Sequence, residues 1–312
     1  MTEISRTILE KYQVRKTKKQ KTAFIEFAKQ QAEAMGYKCN VERDSFGVRN
    51  IVVGDIESAK TVFTAHYDTC PILPFPNFIT PKNFGIYLAY QFAIIFPIFL
   101  IEFLVGFAAG FLTAFIPGNL QADSIALLAS YAFLVLLMLL LFCGPANKHT
   151  ANDNTSGVNT LFEIMESLPA EDREKAAFVF FDLEESGLVG SSLFASRHKN
   201  TMKDKLLINL DCVSDGNNII LAVKKKAKSY APLLEEAFRG NDLYSVEVLT
   251  KGVFYPSDQA NFKLGVGVAA LKKSKKFNVL YMDKIHTKHD TVYRDENIAF
   301  LTQCALKLVK II

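Results

Sequence analysis

The chain alternates short apolar runs with amphipathic segments over most of its length. Short apolar runs flanked by polar residues are typical of buried strands. They predict a hairpin of Lys38–Arg43 and Val48–Val53, followed by strands at Thr61–Ala65, Ala176–Phe181, Leu206–Leu210, Ile219–Val223, Val246–Thr250 and Val266–Leu271. Helical spacing predicts helices at Gln20–Met35, Gly157–Ser167, Ser191–Arg197, Ala231–Arg239 and Glu296–Ile312. Strands that alternate with helices imply an α/β fold, with three α/β/α layers around a central mixed, largely parallel sheet.

One long segment departs from this alternation. Residues 83–147 contain no Lys or Arg, and their only charges are Glu102 and Asp123. Within the segment, Phe84–Ile116 and Ser124–Cys143 are almost continuously apolar, and each reaches the ~20 residues that a transmembrane helix needs. Pro117-Gly118-Asn119 is a turn signal between the two runs.

We therefore predict an apolar two-helix transmembrane hairpin at 83–144, inserted into a single discontinuous α/β domain of 1–82 and 145–312. Its first helix would be about 50 Å long, against a hydrocarbon core of roughly 30 Å. It must therefore tilt, kink near Pro97 or lie partly at the membrane interface. The alternative is a soluble apolar lid or a dimerisation hairpin.

The charges that flank the hairpin predict its orientation. Lys82 and Lys148 bracket it on the domain side, whereas the tip, 117–123, carries only an acid. The positive-inside rule then places the α/β domain in the cytoplasm of a two-span protein of the cell membrane. Residues 1–13 lack the apolar core of a secretory signal. Five cysteines without paired spacing also suit a reducing compartment.

The overall charge adds little to this interpretation. The net charge is +4, and the basic runs Lys16–Lys21 and Lys224–Lys228 are interpreted as solvated faces. The domain is not strongly basic and carries no nucleic-acid-binding motif, so we expect no nucleic-acid partner.

Chemically reactive side chains follow the predicted strands. They are His66 and Asp68 after Thr61–Ala65, Asp153, Glu184-Glu185 after Ala176–Phe181, Asp211 after Leu206–Leu210, and His286. Ligands of open α/β sheets bind outside the carboxyl ends of the strands. Two histidines and several carboxylates that converge there are the ligands expected of a two-metal hydrolase. Because consecutive residues of an extended chain point in opposite directions, Glu184 and Glu185 can have different roles.

The order of these motifs and the residues immediately around them resemble those of the M28 family of zinc aminopeptidases. The resemblance extends from about Gln20 to the C-terminus. The resemblance implies two zinc ions, with manganese or cobalt also suited to an oxygen-rich site. It implies that His66 and Asp211 bind one ion, that Glu185 and His286 bind the other, and that Asp153 bridges them. It makes Glu184 the general base and Asp68 the carboxylate that orients His66.

Two positions need comment. His289 is the alternative to His286 as a metal ligand. We prefer His286, because the residues around it, Ile285-His286-Thr287 and Asp290-Thr291, fit the family's motif better. In Ser257-Asp258-Gln259, the family commonly has a histidine where this chain has Gln259, so Gln259 is assigned no catalytic role.

Since His66 precedes the hairpin and Asp153 follows it, the number of membrane spans must be even.

The resemblance implies that the chain hydrolyses peptides, most simply as an aminopeptidase. Carboxypeptidases, amide deacylases and glutaminyl cyclases, the last with one zinc ion, use the same metal frame and remain alternatives. A non-catalytic membrane scaffold with a peptidase-like fold is another possibility. A protease that cuts within the bilayer would carry its metal ligands inside the apolar runs, and none of the predicted ligands lies in these runs. The expected partners are a peptide substrate and the lipid bilayer, the latter through residues 84–143.

Overall fold

The central sheet is formed by strands whose residues are buried on both faces. The computed structural model describes residues 1–116 and 121–312. The strands are β1 (Cys39–Arg43), β2 (Arg49–Val53), β3 (Thr61–His66), β4 (Ala176–Phe181), β5 (Leu206–Leu210), β6 (Asn218–Val223), β7 (Ser245–Leu249), β8 (Gly265–Lys273) and β9 (Leu280–Tyr281). Each strand predicted from the sequence is present, with ends that differ by at most two residues.

The sheet has the strand order β1-β2-β4-β3-β5-β8-β6-β7, and β9 pairs antiparallel with the end of β8. Strands β4, β3, β5 and β8 are mutually parallel and form its centre. Antiparallel pairs lie on both sides of this centre, where β2 joins β4 and β6 joins β8. The prediction of a mixed sheet with a parallel core is therefore confirmed. The carboxyl ends of the central strands meet at one edge, which we call the carboxyl edge.

The helices are α1 (Glu3–Lys11), α2 (Lys18–Ala34), α3 (Phe84–Ala114), α4 (Ala122–Cys143), α5 (Gly157–Ser167), α6 (Val189–Arg197), α7 (Ala231–Ala237) and α8 (Asp295–Ile311). Helix α1 was not predicted, because it is short and buries only Ser5 and Ile8. Helix α2 begins at a capping box in which Thr17 and Gln20 each accept from the other's backbone N–H.

Helices cover both faces of the sheet. Along β4, Ala176, Phe178 and Phe180 pack in a core with α1, α2, α5, α7 and α8. The alternate residues Ala177, Val179 and Phe181 pack on the opposite face with Phe194 of α6. This alternation is the two-residue period of a strand. The three-layer α/β/α prediction is thus confirmed.

The chain divides into two compact units, one of Met1–Lys82 with Ala146–Ile312 and one of Asn83–Pro145. The second unit is an apolar helical hairpin of α3 and α4. Both helices are long and apolar enough to cross a membrane, by length and composition alone. The turn predicted at Pro117-Gly118-Asn119 lies outside the described residues.

Small residues let the two hairpin helices approach each other closely. A Cβ added to Gly106 would lie 2.2 Å from Ser130 Oγ, and one added to Gly110 would lie 3.0 Å from Ala126 Cβ. The Gly-x-x-x-Gly spacing therefore serves packing within the hairpin. Pro97 lies inside α3, which continues through it.

Candidate metal centre

The predicted ligands converge at the carboxyl edge. His66 is the last residue of β3, and Asp211 directly follows β5. Glu184 and Glu185 lie in the loop after β4, and His286 lies in the loop after β9. Asp153 lies in an irregular turn, Ala151–Ser156, that precedes α5 and contains a cis peptide bond between Asp153 and Asn154. Residues up to 220 positions apart are thereby brought into one cluster.

The six closest donor atoms form two groups that share one carboxylate. In the first group, His66 Nε2 lies 3.2 Å from Asp153 Oδ1 and 3.5 Å from Asp211 Oδ1. In the second, His286 Nε2 lies 3.1 Å from Asp153 Oδ2 and 3.2 Å from Glu185 Oε2. Asp153 therefore presents one oxygen to each histidine. The same side chains are grouped as in the arrangement that the family resemblance implies, and their binding of metal stays a prediction.

Glu184 borders the first of these groups. Its carboxylate can share a position with His66 and Asp211, since donor atoms of the three lie within 4.8 Å of one another. Glu185 belongs to the other group. The two adjacent glutamates thus join different groups, but the alternation of an extended chain is not the cause, because both lie in a turn after Leu183, whose φ is +54°.

Asp68 holds both the histidine and the glutamate loop. Its carboxylate accepts the backbone N–H of Glu184 at 3.0 Å and of Glu185 at 3.2 Å. The same carboxylate lies 3.6 Å from His66 Nδ1, which also contacts the Asp68 carbonyl oxygen at 3.1 Å. A partner at Nδ1 leaves Nε2 as the nitrogen that faces the cluster. Asp68 therefore fixes the positions of two predicted ligands and of the predicted base.

Asp290 has the equivalent role for the Asp153 turn. Its carboxylate accepts the backbone N–H groups of Asn152 and Asp153 at 3.0 and 2.9 Å. The amide side chains of Asn152 and Asn154 then fasten the turn to the residues that follow β5, with Asn154 Nδ2 donating to the Leu210 carbonyl. At Gly157 a Cβ would lie 2.3 Å from that carbonyl, so the close approach of α5 to β5 requires glycine.

The buried charges shift the ionisation of these groups. Burial alone would lower the pKa of His66 and His286, but the surrounding carboxylates raise both pKa values well above the usual range. Burial raises the pKa of Glu184 well above its usual range, and Glu185 adds to the rise. Burial would also raise the pKa of Asp153, yet the adjacent imidazoles of His286 and His66 outweigh it and lower that pKa.

These shifts have one origin, an excess of buried acids. Five carboxylates lie at the cluster, those of Asp68, Asp153, Glu184, Glu185 and Asp211, with two imidazoles between them. Within residues 1–116 and 121–312, His66 Nε2, Glu185 Oε1 and Asp211 Oδ1 are buried without a hydrogen-bond partner. Unpaired buried charge is costly unless a cation compensates it. Two divalent cations would supply four positive charges among these donors, and imidazole nitrogen with carboxylate oxygen suits zinc.

One buried cation of the chain was missed in the sequence analysis. Arg15 is fully buried, and its guanidinium donates to the Tyr67 carbonyl and to Thr155 Oγ1. It thereby joins the loop after His66 to the Asp153 turn. Burial lowers its pKa to about 10. Nothing in the local pattern separates Arg15 from the basic run that follows it.

The basic run Lys16–Lys21 was interpreted as a solvated face, and this interpretation is wrong for Lys21. Its side chain is buried and forms an ion pair of 2.7 Å with Asp182, the residue that follows β4. Asp182 also accepts the Arg49 backbone N–H. The sequence pattern does not distinguish a lysine that reaches a buried acid from its exposed neighbours.

Gln259, His289 and Asp258 have no assigned role in the predicted metal site, and the structure shows where each of them lies. Gln259 is buried and accepts from Asn209 Nδ2 while donating to the Tyr255 carbonyl, so it packs beside β5 rather than joining the donor groups. His289 is exposed, and its backbone N–H donates to Thr287 Oγ1. Asp258 is fully buried, and burial raises its pKa to about 7.

Solved structures share this fold. The LapA aminopeptidase of Legionella pneumophila is 13% identical, with a TM-score of 0.56 over 98% of this chain and 69% of that one. Glutaminyl cyclase of Porphyromonas gingivalis is 14% identical, with a TM-score of 0.58 over 99% and 95%. A leucine aminopeptidase precursor of Bacteroides thetaiotaomicron is 14% identical, with a TM-score of 0.56 over 98% and 94%. At these identities the likeness concerns the fold alone.

Sequence comparison identifies the family directly. Comparison with curated proteins gives no match. The sequence model of Peptidase family M28 matches residues 132–309, which is more than half of the chain. The match includes Asp153, Glu184, Glu185, Asp211 and His286, while His66 and Asp68 precede it. The chain therefore belongs to the M28 peptidase family.

Proposed function

We propose that this protein is a membrane-anchored di-zinc aminopeptidase that releases N-terminal residues from peptides. The observation that carries the proposal is the position of Asp153, whose two carboxylate oxygens lie 3.2 and 3.1 Å from the Nε2 atoms of two different histidines. A carboxylate shared in this way is the arrangement needed to hold two cations side by side.

In this proposal each donor group holds one ion. His66, Asp211 and Asp153 Oδ1 would bind the first, and His286, Glu185 and Asp153 Oδ2 the second. When bound, the ions would polarise the scissile carbonyl and lower the pKa of an attacking water. Asp68 and Asp290 keep the donors in place through the hydrogen bonds already described.

Glu184 is the proposed general base. It lies beside the first donor group without being needed to complete it, so its carboxylate is available to accept a proton from water. A raised pKa makes a carboxylate a better proton acceptor and then lets it pass the proton to the leaving amine. Burial and the neighbouring Glu185 provide that rise. Asp68 positions Glu184 through the backbone N–H that it accepts.

Aminopeptidase action is proposed because solved structures of the same fold include enzymes named as aminopeptidases. Glutaminyl cyclases share the fold equally well, so cyclisation of N-terminal glutamine is the competing activity. Carboxypeptidase and amide deacylase activities are further alternatives on the same frame. The presence of donors for two ions favours hydrolysis over a one-zinc cyclase.

The decisive assay uses the detergent-purified chain and matched substrates. A panel of aminoacyl chromogenic amides would be compared with the same amides after N-acetylation, with and without chelator and added zinc. Zinc-dependent cleavage of the free-amine substrates alone supports the proposal. Cleavage of the acetylated forms would replace it with a deacylase. Ammonia release from a glutaminyl peptide whose peptide bond stays intact would replace it with a cyclase.

Membrane anchoring through residues 84–143 is the second part of the proposal, with the unit of Met1–Lys82 and Ala146–Ile312, which we call the catalytic unit, in the cytoplasm. It can be tested with a membrane-impermeant maleimide in a Cys143→Ser background. Asp123→Cys, near the hairpin tip, should be labelled in intact cells. Lys288→Cys, exposed on the catalytic unit, should be labelled only after lysis. The reverse pattern would invert the orientation, and recovery of the chain in the soluble fraction would remove the anchor.

A further inference from the structure

A buried cysteine lies beside the second donor group. Cys70 belongs to the loop that follows β3, four residues after His66, and it is 1% exposed. Its Sγ, a carboxylate oxygen of Glu185 and a ring nitrogen of His286 all lie within 4.8 Å of one another. A sulfur, an oxygen and a nitrogen donor are therefore brought together at the edge of the second donor group.

The usual interpretation of a buried cysteine is a small apolar side chain that packs in a core. The other buried cysteines fit it, since Cys39 and Cys304 pack in the larger apolar core and Cys212 packs in a smaller one. Among the residues that the structure describes, Cys70 belongs to none of the apolar clusters. Its neighbours include a carboxylate and an imidazole, so packing in an apolar core does not explain its position.

Backbone hydrogen bonds hold this cysteine next to the loop that carries the second histidine. The Leu73 N–H donates to the His286 carbonyl at 2.8 Å. The Cys70 carbonyl accepts the Asn147 N–H at 3.1 Å, and the Asn147 side-chain amide donates to the Thr287 carbonyl at 2.9 Å. Three segments of the catalytic unit are thereby fastened together, which keeps the cysteine beside the donors.

A polar atom of the same group has no partner. Glu185 Oε2 lies 3.2 Å from His286 Nε2, and the Glu185 side chain is only 8% exposed. In the described part of the chain, Glu185 Oε1 is buried without a hydrogen-bond donor. A buried carboxylate oxygen of this kind is unfavourable unless a cation compensates its charge. This observation does not depend on the cysteine, and it indicates a cation among the donors that surround Cys70.

We propose that Cys70 Sγ is a ligand of the ion that His286 and Glu185 hold. The inference rests on the metal binding of the proposed function and deepens it, because it concerns one of the two positions only. On binding, the proton of the thiol passes to solvent and the thiolate sulfur bonds to the ion. Thiolate, imidazole and carboxylate are all ordinary ligands of zinc.

Cys212 is the other sulfur near the site. Its Sγ lies within 4.8 Å of carboxylate oxygens of Asp153 and Asp211, but that group contains no histidine. The Cys212 thiol is also hydrogen-bonded to Asp211, the residue that precedes it. Cys212 therefore has both an apolar environment and a partner for its thiol, and it provides a control for Cys70.

A sulfur ligand would make the two metal positions unequal. The position of His66, Asp211 and Asp153 Oδ1 has three donors, all of them nitrogen or oxygen, whereas the other position gains a fourth, softer donor. Thiolate favours zinc over manganese, which prefers oxygen. Three protein ligands leave a place for water, whereas four are typical of a closed zinc site. Water would then bind at the position that Glu184 borders, beside the proposed base.

Cobalt substitution provides a direct measurement of sulfur ligation. The full-length, metal-free chain would be loaded with Co(II) in detergent, in a Cys143→Ser background that removes the exposed thiol. Bound cobalt per chain and the absorption spectrum would both be measured. We expect about two ions per chain and a sulfur-to-cobalt charge-transfer band in the near ultraviolet, which nitrogen and oxygen ligands do not produce.

Three variants assign the band to one cysteine. Cys70→Ser should abolish it and should lower the zinc affinity of one position by more than the 10–100-fold typical of an outer-shell change. Cys70→Asp keeps an anionic donor, so it should bind both ions and lack the band, and it provides the same test if Cys70→Ser does not fold. Cys212→Ser is the matched control, a buried thiol near the other position, and it should keep the band.

The outcomes separate the sulfur ligand from the proposed function. Two bound cobalt ions without a charge-transfer band overturn sulfur ligation and leave the metal centre intact. A band that persists in either Cys70 variant, or that disappears in Cys212→Ser, also overturns the assignment to Cys70. A chain that binds neither cobalt nor zinc overturns the metal centre of the proposed function, and the sulfur ligand with it.

Discussion

The metal centre and the hairpin depart from an ordinary soluble protein in opposite directions. At the metal centre, five carboxylates are gathered in and around two buried donor groups. In the hairpin, large apolar side chains are exposed along both helices, and Phe92, Phe103 and Leu112 are each at least 63% exposed. Both arrangements are unfavourable in water. In the proposed function each would be relieved by a specific environment, the buried carboxylates by divalent cations and the exposed apolar side chains by lipid.

In each region the type of unfavourable group, buried negative charge or exposed apolar surface, indicates which kind of partner would stabilise it. Excess buried anion calls for a cation, and the histidine nitrogens narrow the choice to metals such as zinc. Excess exposed apolar surface calls for another apolar phase or a second apolar surface.

The shared carboxylate gives the sharpest test of the charge imbalance. Asp153→Asn is expected to lose both zinc ions, because it removes one anionic oxygen from each donor group. The affinity should fall by more than the 10–100-fold typical of an outer-shell change. Asp211→Asn, which contacts only the His66 group, should lose about one of two ions. Zinc per chain would be measured after dialysis, and two retained ions in Asp153→Asn would contradict the shared-carboxylate arrangement.

The next test separates catalysis from metal binding. Glu184→Gln should lower kcat by roughly 10²–10⁴-fold, the usual contribution of a general base. The zinc content should stay unchanged, because both donor groups remain intact. Glu166→Gln, on an exposed part of α5, is the matched control. A Glu184→Gln enzyme with normal kcat would remove Glu184 from the role of base.

Substitution of Arg15 tests how much this buried positive charge stabilises the protein next to the buried carboxylates. Arg15→Met should lower the free energy of unfolding by about 3 kcal/mol, because the Tyr67 carbonyl and Thr155 hydroxyl lose their buried donor. Denaturant unfolding in detergent would measure the change. Arg6→Met, at an exposed position of α1, should have little effect. Equal stability of the two variants would show that Arg15 does not support the site.

The stability of the metal-free protein should depend on pH in a defined direction. Burial raises the pKa of Asp258 and Asp290 from 3.8 to about 7. Their contribution is therefore present below about pH 4 and is lost as the pH rises through 7. The expected loss between pH 5 and 6 is on the order of 1 kcal/mol for each group.

Bound zinc should make the stability of the protein depend less on pH, because a nearby cation favours the charged form of the carboxylates. Unfolding of chelator-treated and zinc-loaded protein across this pH range provides the measurement. Metal-free protein that becomes more stable as the pH rises from 5 to 7 would contradict the assignment of excess buried acid.

The hairpin provides the smallest predicted effect. Gly106→Leu should destabilise it by about 1–3 kcal/mol, because the new side chain meets Ser130 Oγ and the Ala126 carbonyl. Gly85→Leu is the matched control in the same helix, with no atom within 4 Å of its added Cβ. Thermal denaturation in detergent compares the two. A Gly106→Leu variant as stable as Gly85→Leu would show that the helices do not pack at this point.

Much of the catalytic unit could be predicted because its strands are short, apolar and buried on both faces. Such runs leave few alternatives, and the bounds of β4 and α5 are those predicted. The predicted ligands meet because they follow parallel strands or lie in loops at the same edge. Their roles stay predictions until metal binding is measured.

Other features depend on contacts that no local pattern encodes. Arg15 reaches Thr155 across 140 positions, and Lys21 reaches Asp182 across 161. Asp290 holds a turn 137 positions earlier. A single polar residue has no periodicity, so its burial becomes visible only when the distant acceptor is known. Helix α1 was missed for a related reason, because its few buried residues pack against α5.

The strand that carries His66 pairs on both sides with strands encoded after the hairpin, β4 and β5. Because a chain is synthesised from its N-terminus, both apolar helices emerge before either neighbour of β3 exists. From His66 to Phe181 the ribosome needs on the order of 10 s at 5–20 residues per second. During that interval β3 has no partner strand, whereas both apolar helices have already been synthesised. The predicted metal ligands can therefore come together only after the whole hairpin has been made.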